Sequence, residues 1–174
     1  MEVIIPAIIQ GLCYAAMAFG IYLTLRIFNI PDITTDGSYT LGGVVAAILI
    51  SNHWHPAVAL PIVLAAGALA GVATGLIHTQ LKLHPLLAGI LVMTSLYSIN
   101  LFIMGRPNIP LINEASIFNG STSFNMLLAA MFSIILLLLL FWLMKTDFGI
   151  AMRATGSNEL MVKAMGININ LMKI

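Results

Sequence analysis

The chain has 174 residues, of which 60% are hydrophobic and only 7% charged, and its formal net charge is +1. A soluble domain carries about a quarter charged residues, needed to solvate exposed helix faces, so a mean hydropathy of +1.05 excludes a water-soluble globular protein. The near-neutral charge excludes the basic field of a nucleic-acid-binding protein.

The first apolar run covers residues 3–25 and is closed by Arg26. It has no basic n-region and carries Glu2, so it reads as a span and not as a cleaved signal. The single Cys13 lies inside it, which leaves no disulfide framework.

The next stretch, "IPDITTDGSYT", gathers Asp32, Thr34, Thr35, Asp36 and Ser38 between apolar runs. A helix over about 37–51 follows. At 1.5 Å per residue it rises roughly 22 Å, short of the hydrocarbon core of about 30 Å. Its start is therefore expected below the membrane surface, capped by Thr35 or Asp36. Irregular backbone at that depth is tolerated only inside protein or along a cavity, and interrupted helices mark transport paths. The alternative is an ordinary cytoplasmic loop.

Residues 57–77 form a further full-length run, in which Gly67, Gly71 and Gly75 recur every four residues. Small residues at this spacing let helix backbones approach closely in lipid, which is a packing signal. Residues 86–104 follow, opened by Pro85 and closed by Arg106. Thr94 and Ser98 share a face there, with Asn100 beyond them. They are candidates for lining a path, against the plainer role of helix-to-helix hydrogen bonding. "HWHP" at 53–56 reads as an interfacial turn. The most apolar run, 124–144, ends at Lys145.

Five crossings place Arg26, Lys82, Lys145, Arg153, Lys163 and Lys173 on one face and Arg106 on the other. Positive residues collect in the cytoplasm, so the N-terminus is expected outside and the C-terminal segment inside. The expected organisation is an all-α integral membrane protein: a transmembrane region 1–145 and a cytoplasmic segment 146–174.

No nucleophile elbow, zinc-protease or phosphate-loop motif is present, and no convergent acid–base or metal set. The expectation is a non-enzyme without cofactor or metal. An ATPase-independent carrier or channel would use intramembrane charge, for which only Asp32 and Asp36 qualify.

After Lys145 the chain becomes amphipathic and basic. Ser157 is placed to cap a helix beginning near Asn158, with Leu160, Met161, Ala164 and Met165 on one face and Glu159 and Lys163 on another. Such a helix lies on a membrane surface or docks in a partner's groove, and the residues alone favour the membrane.

This end also resembles the cytoplasmic coupling segment of ABC-transporter permeases of the branched-chain amino acid and ribose branch. Phe148, Gly149, Arg153, Ala154, Gly156, Asn158, Ala164, Gly166 and Ile167 match its pattern. "RIFNIPDITTDGSYTLGGVVAA" and "HPLLAGILVMTSLYSINLFIMGRPNIPL" resemble blocks of the permeases grouped with tryptophan/tyrosine uptake systems. The older coupling signature is matched only loosely, since Glu159 is not part of an EAA run.

The resemblance implies an importer that moves a small solute of the amino acid class. Its partners would be a cytoplasmic ATPase, an extracytoplasmic binding protein and a second permease copy. Residues 158–166 would be the coupling helix, with Arg153, Gly156, Asn158, Glu159, Ala164 and Gly166 serving the ATPase contact. Members of that branch continue with further spans, so the chain is expected to be the N-terminal part of a longer permease.

Overall fold

The computed structural model describes residues 3–111, 118 and 120–169; Lys173, counted above for orientation, lies outside them. The described residues are helical throughout their ordered elements: α1 (Ile4–Tyr22) running into a π-helical turn (Leu23–Ile27), α2 (Thr34–Ser51), α3 (Pro56–Gln80), α4 (Pro85–Met104), α5 (Thr122–Lys145), α6 (Asp147–Ser157) and α7 (Glu159–Ala164). Two compact units result, one drawn from Met1–Ile30 and Phe118–Met172, the other from Pro31–Ile117.

Helix boundaries follow local chemistry. Pro56 and Pro85 stand at the first helical positions of α3 and α4, where proline's missing N–H costs nothing. The His55 ring accepts from the Ala57 N–H, and Ser121 caps α5 by accepting from Phe124 N–H. Gly105, at φ 63°, ends α4 in the left-handed conformation that glycine adopts without strain.

Among the described residues, four helices are long and apolar enough to cross a membrane: Ile4–Ile27, Pro56–Gln80, Pro85–Met104 and Thr122–Lys145. In the first unit, the Ser133 hydroxyl donates to the Leu12 carbonyl at 2.9 Å, midway along both α1 and α5. Tyr22 and Arg26, late in that run, share a cavity with Leu140 and Met144, late in α5. The two helices are therefore parallel.

The second unit is a three-helix bundle of α2, α3 and α4. Its core is Leu41, Ala70, Val92 and Leu96, with Val45, Ala66 and Ile77 against it. The start of α2 meets the late turns of α3 and the early turns of α4, so α2 and α4 are parallel and α3 antiparallel.

The glycine stripe of α3 is not the seam of this bundle. A Cβ built on Gly67 or Gly71 would meet nothing within 4 Å. The buried residues of α3 are Ala59, Ala70, Thr74 and Gly75, so only Gly75 of the stripe is enclosed. The expected packing role of Gly67 and Gly71 is not realised within the unit. Spacing identifies a helix face, not what faces it.

Candidate functional site

Two polar constructions stand out, one in each unit. In the second unit, the Asp32 carboxylate accepts the Thr34 N–H at 2.8 Å, an Asx-type turn that opens α2. Neither Thr35 nor Asp36 caps the helix: Ile33 stands at the N-cap without a side-chain bond, Asp32 closes the turn before it, and α2 begins three residues earlier than its apolar pattern indicates. Its 18 residues rise about 27 Å, longer than expected yet still under the hydrocarbon thickness. Asp36 sits in the first turn, where a carboxylate complements the helix dipole. The Ser38 hydroxyl donates to the Thr35 carbonyl at 3.0 Å, and Thr35, Asp36 and Ser38 are half-buried.

Thr34 is 2% exposed, and the Thr74 hydroxyl donates to it at 2.9 Å. Gly89 of α4 lies directly against this turn: a Cβ there would come 2.9 Å from an Asp32 carboxylate oxygen and 3.1 Å from the Ile33 nitrogen. Gly37 likewise brings α2 against Met93 of α4, 3.1 Å from a Cβ position to the Met93 Cα. A polar knot of Asp32, Thr34 and Thr74 is therefore enclosed between helices by two glycines. Sequence reasoning named its α2 half, Gly37 included as a turn residue, but missed Thr74 and Gly89. The signal for Gly89 was the small pair Ala88–Gly89 in an otherwise bulky helix, and both residues are buried.

The other path candidates do not join this knot. Thr94 and Ser98 are exposed, and each hydroxyl donates to a carbonyl of its own helix. Asn100 lies on the opposite, buried side of α4, 6% exposed, with its side-chain oxygen unpartnered among the described residues.

Removing the Asx turn sets the first prediction. Asp32→Ala leaves the Thr34 N–H unpaired in a buried setting and should cost about 1 kcal/mol. Asp32→Asn keeps the acceptor and should cost much less. Thermal denaturation of both variants in detergent checks the order.

In the first unit, the construction is the junction of α5, α6 and the end of α1. Thr24 donates back to the Gly20 and Ile21 carbonyls, a local bond that competes with regular helix. Thr24 lies inside the π turn, in which Phe28 N–H reaches Leu23 O at 3.0 Å. Such turns carry one extra residue per turn. Asn29 then leaves at φ 55°.

α6 is capped by the Thr146 hydroxyl, which accepts from Gly149 N–H at 3.4 Å. Gly149, Met152, Arg153 and Gly156 fall at i, i+3, i+4 and i+7, a single helix face, and that face is turned inward. A Cβ on Gly149 would strike the Leu143 carbonyl and Met144 backbone, and one on Gly156 the Ile27 carbonyl. Between them, the Arg153 guanidinium donates to the Met144 carbonyl at 2.6 Å, satisfying an orphan acceptor at the end of α5. Met152 is 6% and Thr155 1% exposed.

Gly156 thus packs α6 against the spans, and Arg153, although exposed, ties it to the end of α5. The free surface is α7. Asn158, not Ser157, caps it, accepting from Met161 N–H at 3.1 Å; Ser157 instead donates to the Arg153 carbonyl. Val162, 2% exposed, anchors α7, while Leu160, Met161 and Met165 are 81%, 63% and 69% exposed. Ala164 and Glu159 are exposed beside them. Gly166, at φ 83°, ends the helix, with Ile167 N–H returning to Val162 O.

Comparison with known proteins agrees with this architecture. The family model described as "Branched-chain amino acid transport system / permease component" matches residues 3–174. The tyrosine transport system permease protein of Clostridioides difficile is 42% identical over all of this chain and 59% of its own length. An uncharacterized protein of Rickettsia prowazekii is 32% identical over 91% of this chain and 56% of its own length. The probable branched-chain amino acid transport permease protein LivH of Methanocaldococcus jannaschii is 28% identical over 94% of this chain and 57% of its own length. The chain thus spans less than two thirds of the length of these curated relatives, and no solved structure matches it. A helical membrane protein matched over nearly its whole length, the chain belongs to the branched-chain amino acid transport system permease component family.

Proposed function

We propose that the chain forms part of the membrane subunit of an ATP-driven importer of a small solute, an amino acid being the favoured cargo. The observation that carries this reading is α7: a six-residue helix with a bare apolar face, held on the spans through the inward stripe of Gly149, Arg153 and Gly156. A helix that offers Leu160, Met161 and Met165 while rigidly tied to span ends suits a protruding knob that fits a groove in a partner.

In this reading the partner is a cytoplasmic ATPase, and residues 146–174 are the coupling segment. Asn158 and Gly166 shape the knob, Leu160 and Met161 fill the groove, and Arg153 and Gly156 transmit its displacement to α1 and α5. A binding protein delivers solute from outside, and a second permease copy completes the path. The chain is multi-pass in a bacterial inner membrane, N-terminus outside. The Asp32–Thr34–Thr74 knot stands beside the solute path, its polar groups satisfied internally as membrane depth requires. The cargo class is suggested by the tyrosine and branched-chain systems named for the relatives.

Energy source is the quickest discriminator. Uptake of labelled tyrosine or leucine by cells carrying the native operon should persist when an uncoupler collapses the proton gradient and cellular ATP is maintained. Uptake that disappears with the gradient at constant ATP would replace the ATPase reading with an ion-coupled carrier.

A further inference from the structure

The end of α1 and the end of α5 enclose a cavity of about 500 Å³ that the transport reading does not use. This volume lies within the range of about 300–1,000 Å³ usual for small-molecule sites. Its wall is divided by chemistry. Leu137, Leu140 and Phe141 supply an apolar side, whereas Arg26 and Arg153 supply two guanidinium groups. No carboxylate lines it among the described residues.

The cationic side is under-used. The Arg26 side chain makes no hydrogen bond or ion pair among the described residues. Arg153 gives a single donor to Met144, out of the five a guanidinium carries. The Lys145 ammonium lies 4.5 Å from the centre of the Phe141 ring, which brings a third cation to the cavity's edge. Tyr22, one turn before Arg26, also lines this cavity.

Position completes the argument. The polar groups stand at the ends of two spans, at the level where cations and Trp142 (68% exposed) mark the membrane interface. The apolar side continues down α5 into exposed residues: Leu137 and Phe141 are 50% and 56% exposed. A ligand matching both sides has a negative head and hydrocarbon tails running toward the bilayer centre. Basic pockets between spans on the cation-rich side bind anionic head groups.

We propose that this cavity binds an anionic glycerophospholipid. Its phosphate would lie between Arg26 and Arg153, within reach of Tyr22, and its acyl chains along Leu137 and Phe141. The site would fix the end of α1 to α6 from outside the protein backbone, and it stands independently of the ATPase reading.

The test is native mass spectrometry of the tagged chain in neutral detergent, titrated with dioleoyl phosphatidylglycerol or dioleoyl phosphatidylcholine. Binding of the anionic lipid at least about tenfold tighter than the zwitterionic one is expected. Arg26→Gln should erase about tenfold of that preference, while the equal charge change Lys163→Gln on α7 leaves it within about twofold. Since Arg26 holds nothing else in place, the variant should melt with the parent. Millimolar glycerol 3-phosphate should fail to displace the lipid. Equal binding of the two lipids, an Arg26→Gln variant that binds like the parent, displacement by the soluble phosphate, or occupation of the cavity by a second copy that excludes lipid would each overturn the proposal.

Discussion

Gly156→Ala is expected to destabilise the protein, even though alanine is the better helix former. Alanine gains about 1 kcal/mol over glycine in a helix interior. Against this, the added methyl is aimed at the Ile27 carbonyl, a backbone group that cannot swing aside. Relief requires α6 to lift from the π turn, and Arg153 would then leave the Met144 carbonyl. Overpacking costs about 1–3 kcal/mol where side chains can adjust, and here backbone meets backbone. A net loss of about 2 kcal/mol or more should appear as a lower melting temperature and reduced monodisperse yield. A Gly156→Ala chain as stable as the parent would show that α6 does not sit on the end of α1.

The second large effect lies in the polar knot. Gly89→Ala places a methyl 2.9 Å from the Asp32 carboxylate oxygen that accepts the Thr34 N–H. The carboxylate must retreat, which loses a buried hydrogen bond worth about 1–3 kcal/mol to the unpaired N–H. That loss exceeds the helix-propensity gain of about 1 kcal/mol. The two residues are therefore coupled: in an Asp32→Ala background the obstacle is gone, and the penalty of Gly89→Ala should shrink by about 1 kcal/mol or more. Four denaturation midpoints measure this. Strict additivity of the two substitutions would disprove the contact.

These residues show where sequence reasoning reached and where it stopped. Spans were legible because crossing a membrane demands length and apolarity, which are local properties: 57–77, 86–104 and 124–144 became Pro56–Gln80, Pro85–Met104 and Thr122–Lys145. The start of α2 was misjudged by three residues because Asp32, outside the apolar pattern, holds the turn that opens it. The glycines show a deeper limit. Gly67, Gly71 and Gly75 have the regular spacing, yet the first two meet nothing within 4 Å. Gly89 and Gly156 have no such repeat and bear the close approaches. Which glycine is crowded depends on a second segment far away in the chain, information that spacing does not contain. The π turn has the same character. In the C-terminal segment, the family pattern named Gly149, Arg153 and Gly156 together, and the structure places all three on one face of α6. Their inward direction, however, became visible only once α6 was seen against α5 and the end of α1.

This division of α6 from α7 also selects the decisive control. Substitutions on the inward stripe confound folding with partner binding. Leu160→Glu with Met161→Glu changes only exposed side chains, so stability should remain within about 0.5 kcal/mol. The measurement is co-purification of the tagged chain, expressed from its own operon and gently solubilised, followed by detection of an associated ATPase. The parent is predicted to retain the ATPase, and the Leu160→Glu, Met161→Glu chain to lose it while melting at the parental temperature. An ATPase retained equally by both chains, or absent from the parent, would contradict the assignment of α7 as the element that couples the spans to ATP.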